Sequence, residues 1–139
     1  GLGVTLEVSF FAALLGILIG TIAAFLKLST RKNGSKTIAS RIASAYIDII
    51  RGTPTMVQLL IIYFVIFANV HIDKWVVGFI AFGINSGAYI AEIVRGGILS
   101  VNIGQTEAGR SLGMTHKQTM ASIVMPQAMK NILPALGNE

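Results

Sequence analysis

The chain contains no cysteine. That absence removes disulfides, a thiolate nucleophile and Cys-ligated zinc, and its two histidines, His71 and His116, are too far apart in sequence to suggest a metal site. Charge is scarce as well. Charged residues make up 12% of the 139 positions and hydrophobic ones 53%, with a mean hydropathy of +0.72. An average soluble domain is about 25% charged, so a bilayer is the first solvent to consider. Acids are rarer than bases, six against eleven, for a net charge of +5. The bases sit between long apolar runs rather than interleaved with aromatics on a polar face, which argues for membrane lipid and against nucleic acid as a partner. Nothing in the composition points to a cofactor or to catalytic chemistry.

Three runs lack Asp, Glu, Lys and Arg altogether: Val8 to Leu26, Gly52 to Val70 and Trp75 to Ala91. At 1.5 Å per helical residue each reaches roughly 25 to 29 Å, close to the ~30 Å hydrocarbon core once flanking residues are added. The expected fold is therefore all-α, a polytopic transmembrane helical bundle with spans at 5–27, 52–72 and 75–95 and a helical loop at 100–132. Lys27, Arg31, Lys32, Lys36, Arg41 and Arg51 lie between the first two runs, and Arg95, Arg110, Lys117 and Lys130 follow the third. Only Lys74 falls on the other side. The positive-inside rule then puts Gly1 outside and the loop after the third span in the cytoplasm.

Local signals fill in this outline. Gly16/Gly20 and Gly83/Gly87 have GxxxG spacing, open between a close helix seam and incidental membrane glycines. Ile42, Tyr46, Ile49 and Ile50 recur at helical spacing, as in a helix lying at the cytoplasmic interface. Thr53 is placed to cap the second span, with Pro54 in its first turn. Lys32 to Thr37 reads as a turn, and Asn33-Gly34-Ser35 within it as part of that turn rather than a glycosylation acceptor. Gly34-Ser35-Lys36-Thr37 resembles the end of a phosphate-binding loop, but Ser35 stands where glycine is required, so any ATP must be hydrolysed by another chain.

After the third run, Ser100 to Leu136 alternates short helical stretches with glycine and proline. Thr106 to Leu112 is predicted to be a short helix with Glu107 in its first turn, ended by Gly113 in a left-handed conformation. Thr115 starts the next helix with Gln118 as its capping-box partner. The product is a helix-turn-helix knob, which by itself fits a plain hairpin as well as a docking element.

Glu107, Ala108, Gly109, Gly113, Ile123, Met125 and Pro126 have the spacing Glu-Ala-Ala, three residues, Gly, nine residues, Ile-x-Leu-Pro, with Gly109 in place of the second Ala and Met125 in place of Leu. Here the chain resembles the EAA-loop permeases of ABC importers. The blocks Arg51 to Gln58, Ala88 to Ile98 and Leu133 to Glu139 extend the resemblance to the polar amino acid branch of type I importers. The resemblance implies a permease subunit without catalytic residues, paired with a second permease subunit as a homo- or heterodimer in a bacterial inner membrane. It implies an extracytoplasmic solute-binding protein and a separate ABC ATPase as further partners. It assigns ATPase coupling to Glu107, Ala108, Gly109, Ser111, Gly113, Ile123 and Pro126, with small Ala108 and Gly109 letting the knob sit close against the ATPase. The family continues past the last of these blocks and the chain opens on Gly1, so a piece of a larger permease domain is expected.

Asn85, Tyr89 and Glu92 share one face of the third helix, and Gln58 can meet them from the second. Glu92 and Arg95, three apart, can pair near the end of that helix. Polar groups in a span are expensive, so Gln58, Asn85, Tyr89 and Glu92 are candidates for the solute path; hydrogen bonding between helices and interfacial snorkelling explain the same residues. A secondary transporter or channel, and a non-transporting scaffold, are the competing classes. Association with an ATPase and tolerance of alanine on that face, respectively, separate them from an importer.

Overall fold

A computed structural model describes every residue except 31–33. The readings of Arg31 and Lys32 as loop cations, and of Lys32 and Asn33 as part of a turn, fall outside the described residues. The described chain is helical, in two compact units, residues 1–92 and 93–139.

In the first unit, α1 (Leu2–Leu28) and the greater part of α4 (Lys74–Leu99) are the two helices long and apolar enough to cross a membrane singly. They pack through the glycines. A Cβ added at Gly20 would stand 2.7 Å from Ile90 Cγ2 and 2.8 Å from the Gly87 carbonyl oxygen. At Gly16 it would meet Ser86 Cβ at 2.9 Å, and at Gly83 Leu15 Cδ2 at 2.6 Å. The GxxxG spacings are therefore a seam: dispersion between closely approaching backbones holds helices together where lipid offers no hydrophobic contrast. Phe11 packs near Trp75 and Phe79 farther along the same pair, with ring centroids 6.3 and 6.0 Å away.

Helix α2 (Ile38–Gly52) starts on Thr37, whose hydroxyl accepts from the Ser40 amide, and is tied to the end of α1 by the Ser40 hydroxyl donating to the Lys27 carbonyl at 2.6 Å. It buries Ser40, Ala43 and Ile47, while Ile38, Ile42 and Ile49 are exposed. Of the four residues expected on the interfacial face, Ile42 and Ile49 are exposed and Ile50 is half-buried, as is Tyr46. Its hydroxyl donates to the Ile84 carbonyl, beside the space left by Gly87.

The second run departs most from expectation. Helix α3 covers Thr55–Ile61 and continues through a π-helical turn to Ile66, about 18 Å by helical rise, well short of the range 52–72. It meets α2 at 111°. Thr53 (φ −114°, ψ 146°) and Pro54 (φ −63°, ψ 138°) are both extended, because proline has no N–H to continue a ladder and disfavours helical geometry in the residue before it. Thr53 consequently does not cap α3. It closes α2, its hydroxyl donating to the Ile49 carbonyl at 2.9 Å.

The second unit holds the end of α4, then α5 (Ile103–Ser111), α6 (His116–Thr119) running through a second π-helical turn, and α7 (Met125–Asn138). Gly97 lies against Ile132 and the Ala128 carbonyl of α7, and Asn131 donates to the Ser100 hydroxyl at 2.8 Å.

Candidate functional site

The knob in the second unit is closed at both of its ends. Helix α5 begins at Ile103, capped by Asn102 through the Gly104 amide at 2.8 Å, so Glu107 lies mid-helix rather than in the first turn. Asn102 supplied a cap that the reading from Thr106 overlooked. At the other end the Met114 amide donates to Gly109 O and the Gly113 amide to Arg110 O, a Schellman closure with Gly113 at φ 87°. Arg110 Nη1 secures it by donating to Met114 O at 2.8 Å. Then Thr115 caps α6 in a full capping box, its hydroxyl accepting from the Gln118 amide at 3.1 Å and its own amide donating to Gln118 Oε1 at 2.9 Å.

The candidate coupling residues divide by burial. Glu107, Ala108, Ser111, Gly113 and Pro126 are exposed, Ile123 is half-buried and Gly109 is buried. A Cβ on Gly109 would stand 2.8 Å from Thr119 Cγ2 and 2.9 Å from Ile123 Cδ1. Its small size therefore serves packing inside the knob, and of the two small residues only Ala108 is exposed. Leu112, missed by motif reading, is 82% exposed at the tip.

The polar residues of the first unit converge. Asn85 Nδ2 donates to Gln58 Oε1 at 2.9 Å and to Thr55 Oγ1 at 3.3 Å. Gln58 Nε2 in turn reaches the Ile50 carbonyl at 2.6 Å and the Thr53 hydroxyl at 2.6 Å. Gln58 thus satisfies carbonyls that the α2–α3 bend strips of helical donors, and Asn85 fastens the bend to α4. Nearer the end of the helix, Arg51 lies over the Tyr89 ring, 5.8 Å from its centroid. Glu92 accepts from Lys27 Nζ at 2.9 Å and stands 3.9 Å from Arg51 Nη1.

Lys27 and Arg51 were not foreseen as members of this cluster, yet a signal for it was present. Lys27 ends the first charge-free run, Arg51 immediately precedes the second, and Glu92 is the first charge after the third. Chain alternation brings those three run ends to the same side, where opposite charges on packed helices meet.

Residues 16–139 match the family model described as the binding-protein-dependent transport system inner membrane component. The chain belongs to that family. It is 39% identical to the glutamine transport system permease protein GlnP of Escherichia coli (strain K12) over all of this chain and 63% of that protein. It is 36% identical to the arginine transport system permease protein ArtQ of Bacillus subtilis (strain 168), again over all of this chain and 62% of the relative. The crystal structure of an amino acid ABC transporter with histidines superposes with a TM-score of 0.81 at 48% identity, covering 96% of this chain and 61% of the other. The inward-facing MetNI methionine ABC transporter, at 23% identity and a TM-score of 0.79, shares the fold. The chain thus spans less than two thirds of the length of these relatives.

Proposed function

We propose that the chain forms part of the membrane-spanning permease subunit of an importer for polar or charged amino acids, driven by ATP hydrolysis in a separate ATPase subunit. A second permease subunit completes the pathway, and an extracytoplasmic binding protein delivers the solute. The subunit lies in a bacterial inner membrane with the Gly1 end outside and the knob in the cytoplasm, the orientation favoured by ten of the eleven basic residues. The spans are α1, the bent α2–α3 pair and α4. The solute passes the Gln58, Asn85, Tyr89 and Glu92 face.

The observation that carries this reading is the α5–α6 knob. Its turn is locked by the Gly113 closure and the Thr115 capping box, and it presents Glu107, Ala108, Ser111 and Leu112 outward. A rigid projection with a small, partly apolar tip suits transmission of a push from a partner better than a free loop does. Gly109 and Ile123 hold its two limbs together, and Pro126 lies in the first turn of α7.

The test is crosslinking from Ala108→Cys and Ser111→Cys in the full-length protein in native membranes. An adduct with an ATPase subunit, changing in yield when ATP is added, is the expected result. A folded, membrane-inserted permease that links to no ATPase from either position would sink the importer reading and favour a channel or scaffold.

A further inference from the structure

Arg51 entered the sequence reading as a loop cation and as the first residue of the Arg-Gly-Thr-Pro block. Among the described residues its guanidinium has no hydrogen-bond partner. The guanidinium carbon lies over the Tyr89 ring, 5.8 Å from its centroid, and Glu92 Oε2 at 3.9 Å from Nη1 is beyond hydrogen-bond reach. Among the described residues no ion pair joins Arg51 to Asp48, one turn earlier on α2.

Neutralising Glu92 does not account for this arrangement. Lys27 already contacts the carboxylate at 2.9 Å, with side-chain exposures of 20% and 17% for the pair, whereas Arg51 is 45% exposed. Among the described residues Lys27 and Arg51 both stand within 4 Å of the one carboxylate of Glu92, which places positive charge next to the polar face of α4. A guanidinium that is not hydrogen-bonded to its neighbours offers two parallel N–H donors, the geometry a carboxylate accepts in bidentate fashion.

We propose that Arg51, laid on Tyr89, binds the α-carboxylate of the transported amino acid as it passes the Asn85, Tyr89 and Glu92 face of α4. The inference rests on the importer reading above and names the group on the solute that this face recognises. Glu92 and Lys27 position Arg51: their ion pair joins α1 to α4 and leaves the guanidinium at the rim.

The full-length permease, purified with its ATPase in lipid nanodiscs without the binding protein, provides the test. Radiolabelled L-arginine and L-glutamine are the probes, each competed by its decarboxylated analogue, agmatine or 4-aminobutanamide. The amino acid should bind the wild type about tenfold or more tighter than its analogue, as expected of a charge-assisted pair. Arg51→Gln should abolish that preference and Arg51→Lys should keep part of it, with size-exclusion profiles and melting temperatures unchanged. Adding Glu92→Gln to Arg51→Gln should not restore it. A preference that survives Arg51→Gln within twofold, one restored in the double variant, or none in the wild type overturns the assignment. ATP-driven uptake of the same probes, measured in proteoliposomes with the binding protein, separates the two levels. A transporting wild type with any of those results removes only the role of Arg51, and a wild type that takes up none of the common amino acids in the same assay removes the importer reading with it.

Discussion

In the seam between α1 and α4 a glycine is required for room, whereas at the tip of the knob one is required for a backbone angle. Gly20 and Gly87 are helical and have neighbours within 3 Å of where a Cβ would sit. Gly113 has nothing within 4 Å but stands at φ 87°, a region costly to any residue with a Cβ. The same residue type thus makes two different demands, and sequence spacing alone does not tell them apart. Substitutions do, because a residue that tolerates left-handed geometry relieves one demand and worsens the other.

The seam should show the larger effect. Gly20→Ala drives a methyl against the Gly87 carbonyl and Ile90, and Gly87→Ala meets Tyr46 Oη at 2.6 Å and Ile19 Cγ2 at 2.9 Å. Backbone on one side and β-branched side chains on the other leave little to relax, so each should cost about 1–3 kcal/mol by overpacking. Thermal unfolding of the purified full-length permease measures this. A melting temperature unchanged in both variants would mean that the helices do not approach as closely as described.

Legibility follows the same division. The first and third spans were readable because a long charge-free run has few alternatives, and the capping box and left-handed Gly113 because they are local chemistry at fixed offsets. The second run was legible only in outline, because Pro54 acts on the helix before it as well as on the one after it, which separates α2 from α3. The start of α5 was misplaced because Asn102, which caps it, stands about one turn ahead of Thr106, where the helix was expected to begin. Partners across space were the least visible: Gln58 serving the carbonyls of α2, Gly109 facing inward, and Arg51 lying on Tyr89 all depend on which helices come together. The roles of Gln58 and Asn85 in the bend also make alanine at either position a poor probe of a solute path, since it disturbs the fold as well.

The knob gives the smaller effects, in a fixed order. Gly113→Ala should cost about 1–2 kcal/mol through its backbone angle alone. Thr115→Ala follows at about 1 kcal/mol, because the Gln118 amide loses its acceptor. Both should loosen the knob while the melting of the membrane helices stays put, so hydrogen exchange of residues 103–124, rather than global unfolding, is the measurement to make.

Gly113→Asn comes last and is the most discriminating. Asparagine visits left-handed geometry more readily than alanine, and the open space around Gly113 admits its side chain, so the cost should fall to a few tenths of a kcal/mol. If the knob couples through its fixed shape, Gly113→Asn should keep ATP-dependent uptake close to wild type. Gly113→Val, β-branched and ill suited to positive φ, should leave the membrane helices folded yet uncouple hydrolysis from transport. Equal uptake in the two variants would show that the turn angle does not matter to coupling. Equal loss in both would point instead to contact at the Gly113 position itself, where a partner surface leaves no room for any side chain.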